Sequence, residues 1–348
     1  MIEEARLYRY RLPLRWPLRM PAFSLTYREG LLIELSSGTH SGWGEIAPFP
    51  GLSRESLDDA THFIQNHLKK IKALSGQDRC APQQFAWLED APPSVRFGLE
   101  AALLELDCAR RGQSLFDALG CRRETISCNG LATGEPPDEW VENDKRLFRK
   151  GFVTVKIKVG RFELELEAEA VRAVAQLSPD LRIRLDANRA WALDEALVFA
   201  RLIDGIAVEY IEEPVDHVED LAEFFRRAHL PIALDESLAA DPPPLPIAAF
   251  ILKPGVHGGL SDILRWMHRA QARGALAVIS SPFLSAVGLR MTAHLAALAP
   301  ADVAMGLEAS QHLATDFLHK PLHFAGGRLE IAELEKIHIK YRLMEQVL

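Results

Sequence analysis

Five short stretches each close an apolar run with charged side chains: "VKIKVG", "RLDAN", "EEP", "LDES" and "LKPG". In order they contribute Lys156 and Lys158, Asp186, Glu212, Asp235 and Lys253. In "GFVTVKIKVG", Val153, Val155, Ile157 and Val159 share one face of a strand. Thr154, Lys156 and Lys158 share the other, because side chains alternate with period two. A desolvated ammonium is costly unless it is paired or loses its proton, so two lysines on one face of an apolar strand require partners. Three carboxylates at successive strand ends would likewise repel one another if all were buried and ionised. A hard dication resolves that conflict. Mg²⁺, with Mn²⁺ as the alternative, takes oxygen ligands and keeps positions for water or substrate. A carboxylate substrate held there has its α-proton acidified, since deprotonation gives an enediolate whose charge the dication stabilises. A nearby lysine removes that proton only if its pKa falls from about 10.4 toward neutrality. Desolvation and adjacent cations both push it that way. Each residue alone has an ordinary reading: an Asp at a strand end often caps the next helix, and Glu213 beside Glu212 reads as a solvated or supporting group. The alignment of six charges is what such readings do not supply.

The elements that must position these residues are legible from about residue 124. Apolar strands "TISCNG", "FVTVKIKVG", "LRIRLDAN", "AVEYIEEP", "IALDES", "AFILKPG", "ALAVISSP" and "DVAMGLEA" alternate with amphipathic helices such as "RFELELEAEAVRAVAQL" and "ALDEALVFARLID". That pattern predicts an α/β fold with a closed parallel barrel, whose strand C-termini meet at one mouth. An open doubly wound sheet is the alternative. No GxGxxG or GxxxxGK[ST] follows any strand, so nothing supports a dinucleotide or P-loop site. "KPGVHGGLSD" reads as a turn leading into a helix. Residues 1 to about 50 read as strands and loops, followed by helical stretches "SRESLDDATHFIQNHLKKIKAL" and "PPSVRFGLEAALLELDCARRG", the second with Gly112 after its last turn. This is a small α+β unit over residues 1–110. The barrel then takes residues 111–312, and residues 313–348 leave the repeat to rejoin the N-terminal unit.

Composition narrows the setting. The 348 residues are 48% hydrophobic and 25% charged, ordinary for a globular protein. A net charge of −8 without a basic tail argues against nucleic acid. No run approaches a membrane span, and the N-terminus has no signal-peptide core. Cys80, Cys108, Cys121 and Cys128 lack metal-ligand spacing, so reduced thiols in a cytoplasmic protein are expected. The twelve histidines form no HExxH or HxH cluster. No long exposed apolar stripe marks a subunit interface.

The ordered set KxK, LDAN, EEP, DES and LKP resembles the enolase superfamily in its muconate-lactonising-enzyme-like branch. "GWGEIAPFPGLSRES", "CNG", "RLDANRAW", "DES" and "AVISSPFLSAVGL" are, within it, most similar to the o-succinylbenzoate synthase family. That resemblance implies a modified TIM barrel, (β/α)₇β, under an α+β capping domain, with loops near residues 16–26 and 45–55 closing over a small carboxylate substrate. It implies Mg²⁺ on Asp186, Glu212 and Asp235, with Lys158 abstracting the α-proton and then assisting departure of hydroxide. Lys253 would be a cation across the ring, and Lys156 an auxiliary that keeps Lys158 low. Arg184 divides between a supporting role and a substrate contact, while Ser281 and the Gly306 backbone would touch ligand. The implied reaction is syn-dehydration of 2-succinyl-6-hydroxy-2,4-cyclohexadiene-1-carboxylate to o-succinylbenzoate in menaquinone biosynthesis. The family is more polar where this chain has Pro282 and Phe283. The competing enzyme reading is N-acyl amino acid racemisation or dipeptide epimerisation, which uses the same metal and both lysines. Dipeptide epimerases place a DxD pattern on strand eight, where "AMGLEAS" has Glu308 alone. A non-catalytic, metal-stabilised barrel is the reading from a different class.

Overall fold

The computed structural model describes residues 2–19, 24–74, 86–132, 137–239, 242–318, 320–335, 337 and 339–348. The chain begins with β1 (Glu4–Arg19), β2 (Ser24–Ser37) and β3 (His40–Ile46), then α1 (Leu57–Ala73), α2 (Ala86–Glu89), α3 (Pro93–Arg111) and α4 (Leu115–Leu119). Next come β4 (Thr125–Ser127), β5 (Gly130–Ala132), α5 (Pro137–Arg149), β6 (Thr154–Lys158), α6 (Leu164–Ala175), β7 (Arg182–Asp186), α7 (Leu193–Leu202) and β8 (Tyr210–Glu212). The rest is α8 (Leu221–Ala228), β9 (Ile232–Leu234), β10 (Ile247–Leu252), α9 (Leu260–Ala272), β11 (Leu276–Ile279), α10 (Ala286–Ala296), β12 (Arg328–Glu330), α11 (Ile331–Leu334) and β13 (Met344–Gln346).

Two sheets share the work. The N-terminal strands form an antiparallel sheet of order β13–β1–β2–β3. Leu7, Leu31, Ile33 and Leu35 bury one face of it against α1 and α3, each side chain contributing about 1.5–3 kcal/mol. Ser56 caps α1 through a capping box with Asp59, and Gly112 ends α3. Helix α3 lies close on β3 because Gly44 and Gly98 leave the room. A β-carbon on Gly44 would fall 1.9 Å from the Gly98 carbonyl oxygen.

The second sheet is parallel, in the order β11–β10–β9–β8–β7–β6–β5. It closes into a barrel through residues 305 and 306, which bridge Cys128 on one side and Ser280 on the other. Helices cover its outside, so Val155, Ile157, Ile183, Leu185, Ile211 and Leu234 are fully buried. This is the modified TIM barrel with an α+β cap. Val153, expected on that buried face, is instead 49% exposed, because the strand starts one residue later, at Thr154. The stretch "TISCNG" also departs from one barrel strand: β4 pairs antiparallel with β12, and only β5 joins the barrel sheet. The C-terminal segment therefore does two things. Its β12 pairs with β4 beside the barrel, and β13 joins β1 in the cap. Cys108, Cys121 and Cys128 are buried and form no disulfide among the described residues, while Cys80 lies outside the described residues. No helix among the described residues is long and apolar enough to cross a membrane.

One buried carboxyl carries an expected effect on stability. Asp144 on α5 is fully buried, and neither oxygen has a hydrogen-bond partner among the described residues. Burial raises it to about 7. A carboxyl raised in the folded state weakens the fold as pH climbs from its unfolded value, about 3.9, through its folded one. Asp144→Asn removes that ionisation. Its gain in urea stability over the parent should be about 2 kcal/mol larger at pH 8 than at about pH 5.5. An equal gain at both pH values would show that the carboxylate is paired and ionised in the native protein.

Candidate active site

Strand register gathers the charges. Parallel pairing sets Lys158 beside Asp186 and Asp186 beside Glu212, with Lys156 beside Arg184 and Arg184 beside Tyr210 one layer below. Asp235 and Lys253 each lie one residue past their strands, β9 and β10. All six expected groups therefore stand at the C-terminal mouth of the barrel, where the loops of such barrels carry chemistry.

The amines and carboxylates are in direct contact. Lys156 Nζ lies 2.7 Å from both Asp186 Oδ2 and Glu212 Oε2, bridging the two acids. Lys158 Nζ donates to Asp186 Oδ2 at 2.5 Å and to Asn188 Oδ1 at 2.6 Å. Lys253 pairs with Asp235. Lys158 keeps 28% side-chain exposure against 15% for the other two amines, so it is the one a ligand reaches most readily. Burial works against charge on Asp186, but Lys156 and Lys158 hold it well below the usual carboxylate range. Glu212 goes the other way, pushed well up by burial and by the Asp186 charge. Burial also opposes charge on Lys156 and Lys253, yet the carboxylates keep both above the ordinary lysine value.

Does this set suit a dication? Among the described residues no group of three or more His, Cys, Asp or Glu is gathered as a ready-made metal centre; Lys156 spans the acids instead. The donor chemistry nevertheless fits. Glu212 Oε1 and Asp235 Oδ1 are buried and lack any hydrogen-bond partner. A buried acceptor left so is expensive, and hard oxygen donors on three neighbouring strands are what Mg²⁺ takes.

The residues around these groups make a second ring of contacts. Glu213, whose solvated reading fails, is fully buried at φ 46° and accepts from Asp235 N (2.7 Å), Ser237 N (2.8 Å) and Ser237 Oγ (2.6 Å). Asn188 adds a bond to Glu236 at 3.2 Å. Asn188, Arg189, Glu213 and Phe283 all hold positive φ just past barrel strands, backbone strain of the kind that clusters at functional sites. Arg184 is not at the mouth. It is fully buried in the barrel, bonded to Glu209, to Asn129 Oδ1 (3.1 Å) and to the Ala304 carbonyl (2.7 Å), where it ties the closing seam together. Of the two readings of Arg184, supporting group or substrate contact, its place beneath the site beside Glu209 is that of the supporting group.

The sequence comparisons agree with this architecture. The family described as enolase C-terminal domain-like matches residues 139–335, and the one described as MenC, N-terminal domain, matches residues 2–106. An o-succinylbenzoate synthase from Pectobacterium atrosepticum is 32% identical over 329 residues, covering 92% of this chain and 94% of the relative. The chain belongs to the o-succinylbenzoate synthase family of the enolase superfamily. A Yersinia pseudotuberculosis member of that family is 34% identical over 311 residues, covering 86% of this chain and 88% of the relative. Among solved structures, a dipeptide epimerase from Cytophaga hutchinsonii complexed with Mg and D-Ala-L-Val superposes with a TM-score of 0.84. It covers 100% of this chain and 99% of that one at 21% identity, and so speaks to the fold alone.

Against the family expectation, Ser281 and Gly306 have little to offer through their backbones. Ser281 N–H donates to the Gly306 carbonyl and Gly306 N–H to the Ile279 carbonyl, both at 2.9 Å, as part of barrel closure. Ser281 Oγ accepts from Leu284 N at 3.3 Å, which leaves the hydroxyl proton as its free donor. Glu308 is likewise engaged, accepting from Leu131 N at 2.8 Å. Above the mouth the cap and barrel are joined. Glu45 of β3 accepts from Ser285 N, Ser285 Oγ and Gly288 N at the start of α10, a favourable place for a carboxylate. Phe49 stacks on Phe283 at 5.8 Å, and Trp16 donates to His312 Nδ1 at 2.9 Å. The 45–55 segment and Trp16 thus meet the barrel rim; of the expected 16–26 loop, residues 16–19 and 24–26 belong to β1 and β2, and residues 20–23 lie outside the described residues.

Proposed function

We propose that this chain is a Mg²⁺-dependent o-succinylbenzoate synthase that dehydrates 2-succinyl-6-hydroxy-2,4-cyclohexadiene-1-carboxylate in menaquinone biosynthesis. The observation that carries the reading is the mouth itself: three acids on consecutive strands, two with unpartnered buried oxygens, between amines from the strand before them and the strand after. Asp186, Glu212 and Asp235 would hold the ion, with Mn²⁺ as a substitute. When bound, the dication would supply Lewis-acid stabilisation of negative charge on the substrate carboxylate.

The chain's own groups supply the rest. Lys158 Nζ, the most exposed amine, takes the proton from the ring carbon that bears the carboxylate. The C–H electron pair is first held as an enediolate across the substrate carboxylate, and it then forms the new ring double bond as the C–O bond at the neighbouring carbon breaks. The departing hydroxide receives the proton from the Lys158 ammonium on the same face, so one water is lost and nothing is oxidised. Lys253 stands across the ring as a fixed cation, where charge aimed at the developing negative centre costs no reorganisation. Lys156 orients the Asp186 and Glu212 carboxylates. The buried Phe49, stacked on Phe283, would shield this chemistry from water.

Incubating the protein with Mg²⁺ and the cyclohexadiene acid should yield an aromatic product followed by its ultraviolet absorbance, and EDTA should stop the reaction. Absence of product alongside epimerisation of dipeptides or N-acyl amino acids would transfer the site to the racemase reading. That reading has less support because Glu308 stands alone where dipeptide epimerases place a DxD pattern, and one of its oxygens already accepts from Leu131 N. Neither reaction, with Mg²⁺ bound, would favour the non-catalytic barrel.

A further inference from the structure

The loop that follows β10 folds back on itself. Val256 N–H donates to the Lys253 carbonyl at 3.0 Å, His257 N–H donates to the same oxygen at 2.9 Å, and Gly255 N–H donates to the Gly258 carbonyl at 2.9 Å. Gly258 holds φ 120°, and a β-carbon there would sit 2.2 Å from Asp262 Oδ2, so only glycine allows this path. The turn aims the His257 ring back at the strand end it has just left. Nδ1 accepts from Lys253 N–H at 2.9 Å, and Nε2 lies 3.3 Å from the Asp235 carbonyl oxygen. Because Nδ1 accepts, the ring proton is on Nε2, which donates to Asp235. One imidazole therefore ties together the backbones of two neighbouring strand ends.

We infer that His257 is a positioning residue that sets Lys253 and Asp235 relative to each other through these two hydrogen bonds. The inference rests on the proposed reaction for what Lys253 does, but its Asp235 arm concerns metal affinity and stands apart from turnover. Asp235 is held from both sides: Glu213 takes its N–H and His257 gives to its carbonyl. Lys253 has its N–H fixed by the ring, so its ammonium leaves the strand from a set origin. Outer partners of this kind change metal affinity or activity by about 10–100-fold when removed.

The two arms separate by substitution. His257→Leu removes both and should lower kcat and weaken Mg²⁺ affinity, each by about 10-fold or more, the latter measured by calorimetry with Mg²⁺ alone. His257→Asn keeps an acceptor near the Nδ1 position but is too short for Asp235. It should rescue kcat to within a few-fold while Mg²⁺ affinity stays weak. In a Lys253→Ala background His257→Leu should cost almost no further kcat, because residues acting as a unit are not additive. An equal loss of kcat in the Asn and Leu variants, or a full Leu penalty persisting without Lys253, would overturn the assignment. Should His257→Leu fail to fold, the Asn variant alone decides, by whether kcat and Mg²⁺ affinity part company. Failure of the proposed reaction shows up separately, as no product from the parent enzyme while the Mg²⁺ result still reads the Asp235 arm.

Discussion

Lys158→Ala should lower kcat by about 10²–10⁴-fold, the range for loss of a general base, which is roughly 3–5 kcal/mol of transition-state stabilisation. Mg²⁺ affinity should change by only a few-fold. Asp186 keeps two contacts that do not involve Lys158: Oδ1 accepts from Asn188 N at 3.0 Å, and Oδ2 stays paired with Lys156 at 2.7 Å. Fold stability should hold as well, since Lys158 is the most exposed of the three amines. A sharper readout is isotopic. In D₂O the parent should wash deuterium into recovered substrate at the carbon bearing the carboxylate, and the variant should not. Near-parental turnover in Lys158→Ala would move the base elsewhere. Loss of Mg²⁺ binding together with turnover would make Lys158 a scaffold for Asp186 rather than the proton acceptor.

The part of this site that could be read from the sequence is the part that obeys strand periodicity. Lys156, Lys158, Asp186, Glu212, Asp235 and Lys253 each end an apolar run, and a parallel barrel sends such ends to one mouth, so their convergence followed from pattern alone. What escaped lies beyond the strands, where no period operates. His257 sits in a glycine-rich turn, and only the folded path shows its ring bonded to Lys253 and Asp235. A histidine four residues after a strand-end lysine, inside such a turn, was the available signal. Arg184 shares the inward face of Asp186, but period two cannot tell the mouth from the layer beneath, where Glu209, Asn129 and Ala304 hold it. Ser281 and Gly306 were chosen for their donors, and barrel closure uses the two backbone N–H groups while the Ser281 hydroxyl proton stays available. The division of the C-terminal segment was equally hidden, because β12 and β13 are three residues each and too short to show a pattern.

The other large effect belongs to Lys253. Lys253→Arg preserves the charge but replaces a compact ammonium with a planar fork of five donors. The space is small: Lys253 is 15% exposed and already in contact with Asp235, whose side chain is 1% exposed. A guanidinium there would pair with both oxygens of Asp235, drawing that carboxylate away from the ion and placing its own charge off the ring. We expect kcat to fall by about 10²–10³-fold, the scale seen when one preorganised charge stabiliser is removed, and Lys253→Ala to fall at least as far. Deuterium wash-in then tells two roles apart. If Lys253 acts only as a cation, Lys158 still removes the proton reversibly, and recovered substrate gains deuterium with retained configuration. If Lys253 is itself an acid or base on the far face, the parent should form the epimer through that face, and Lys253→Arg should lose it. Full turnover in the arginine variant would remove Lys253 from the reaction, because a bulkier cation at a sterically closed position cannot reproduce the stabilising geometry assigned to this one.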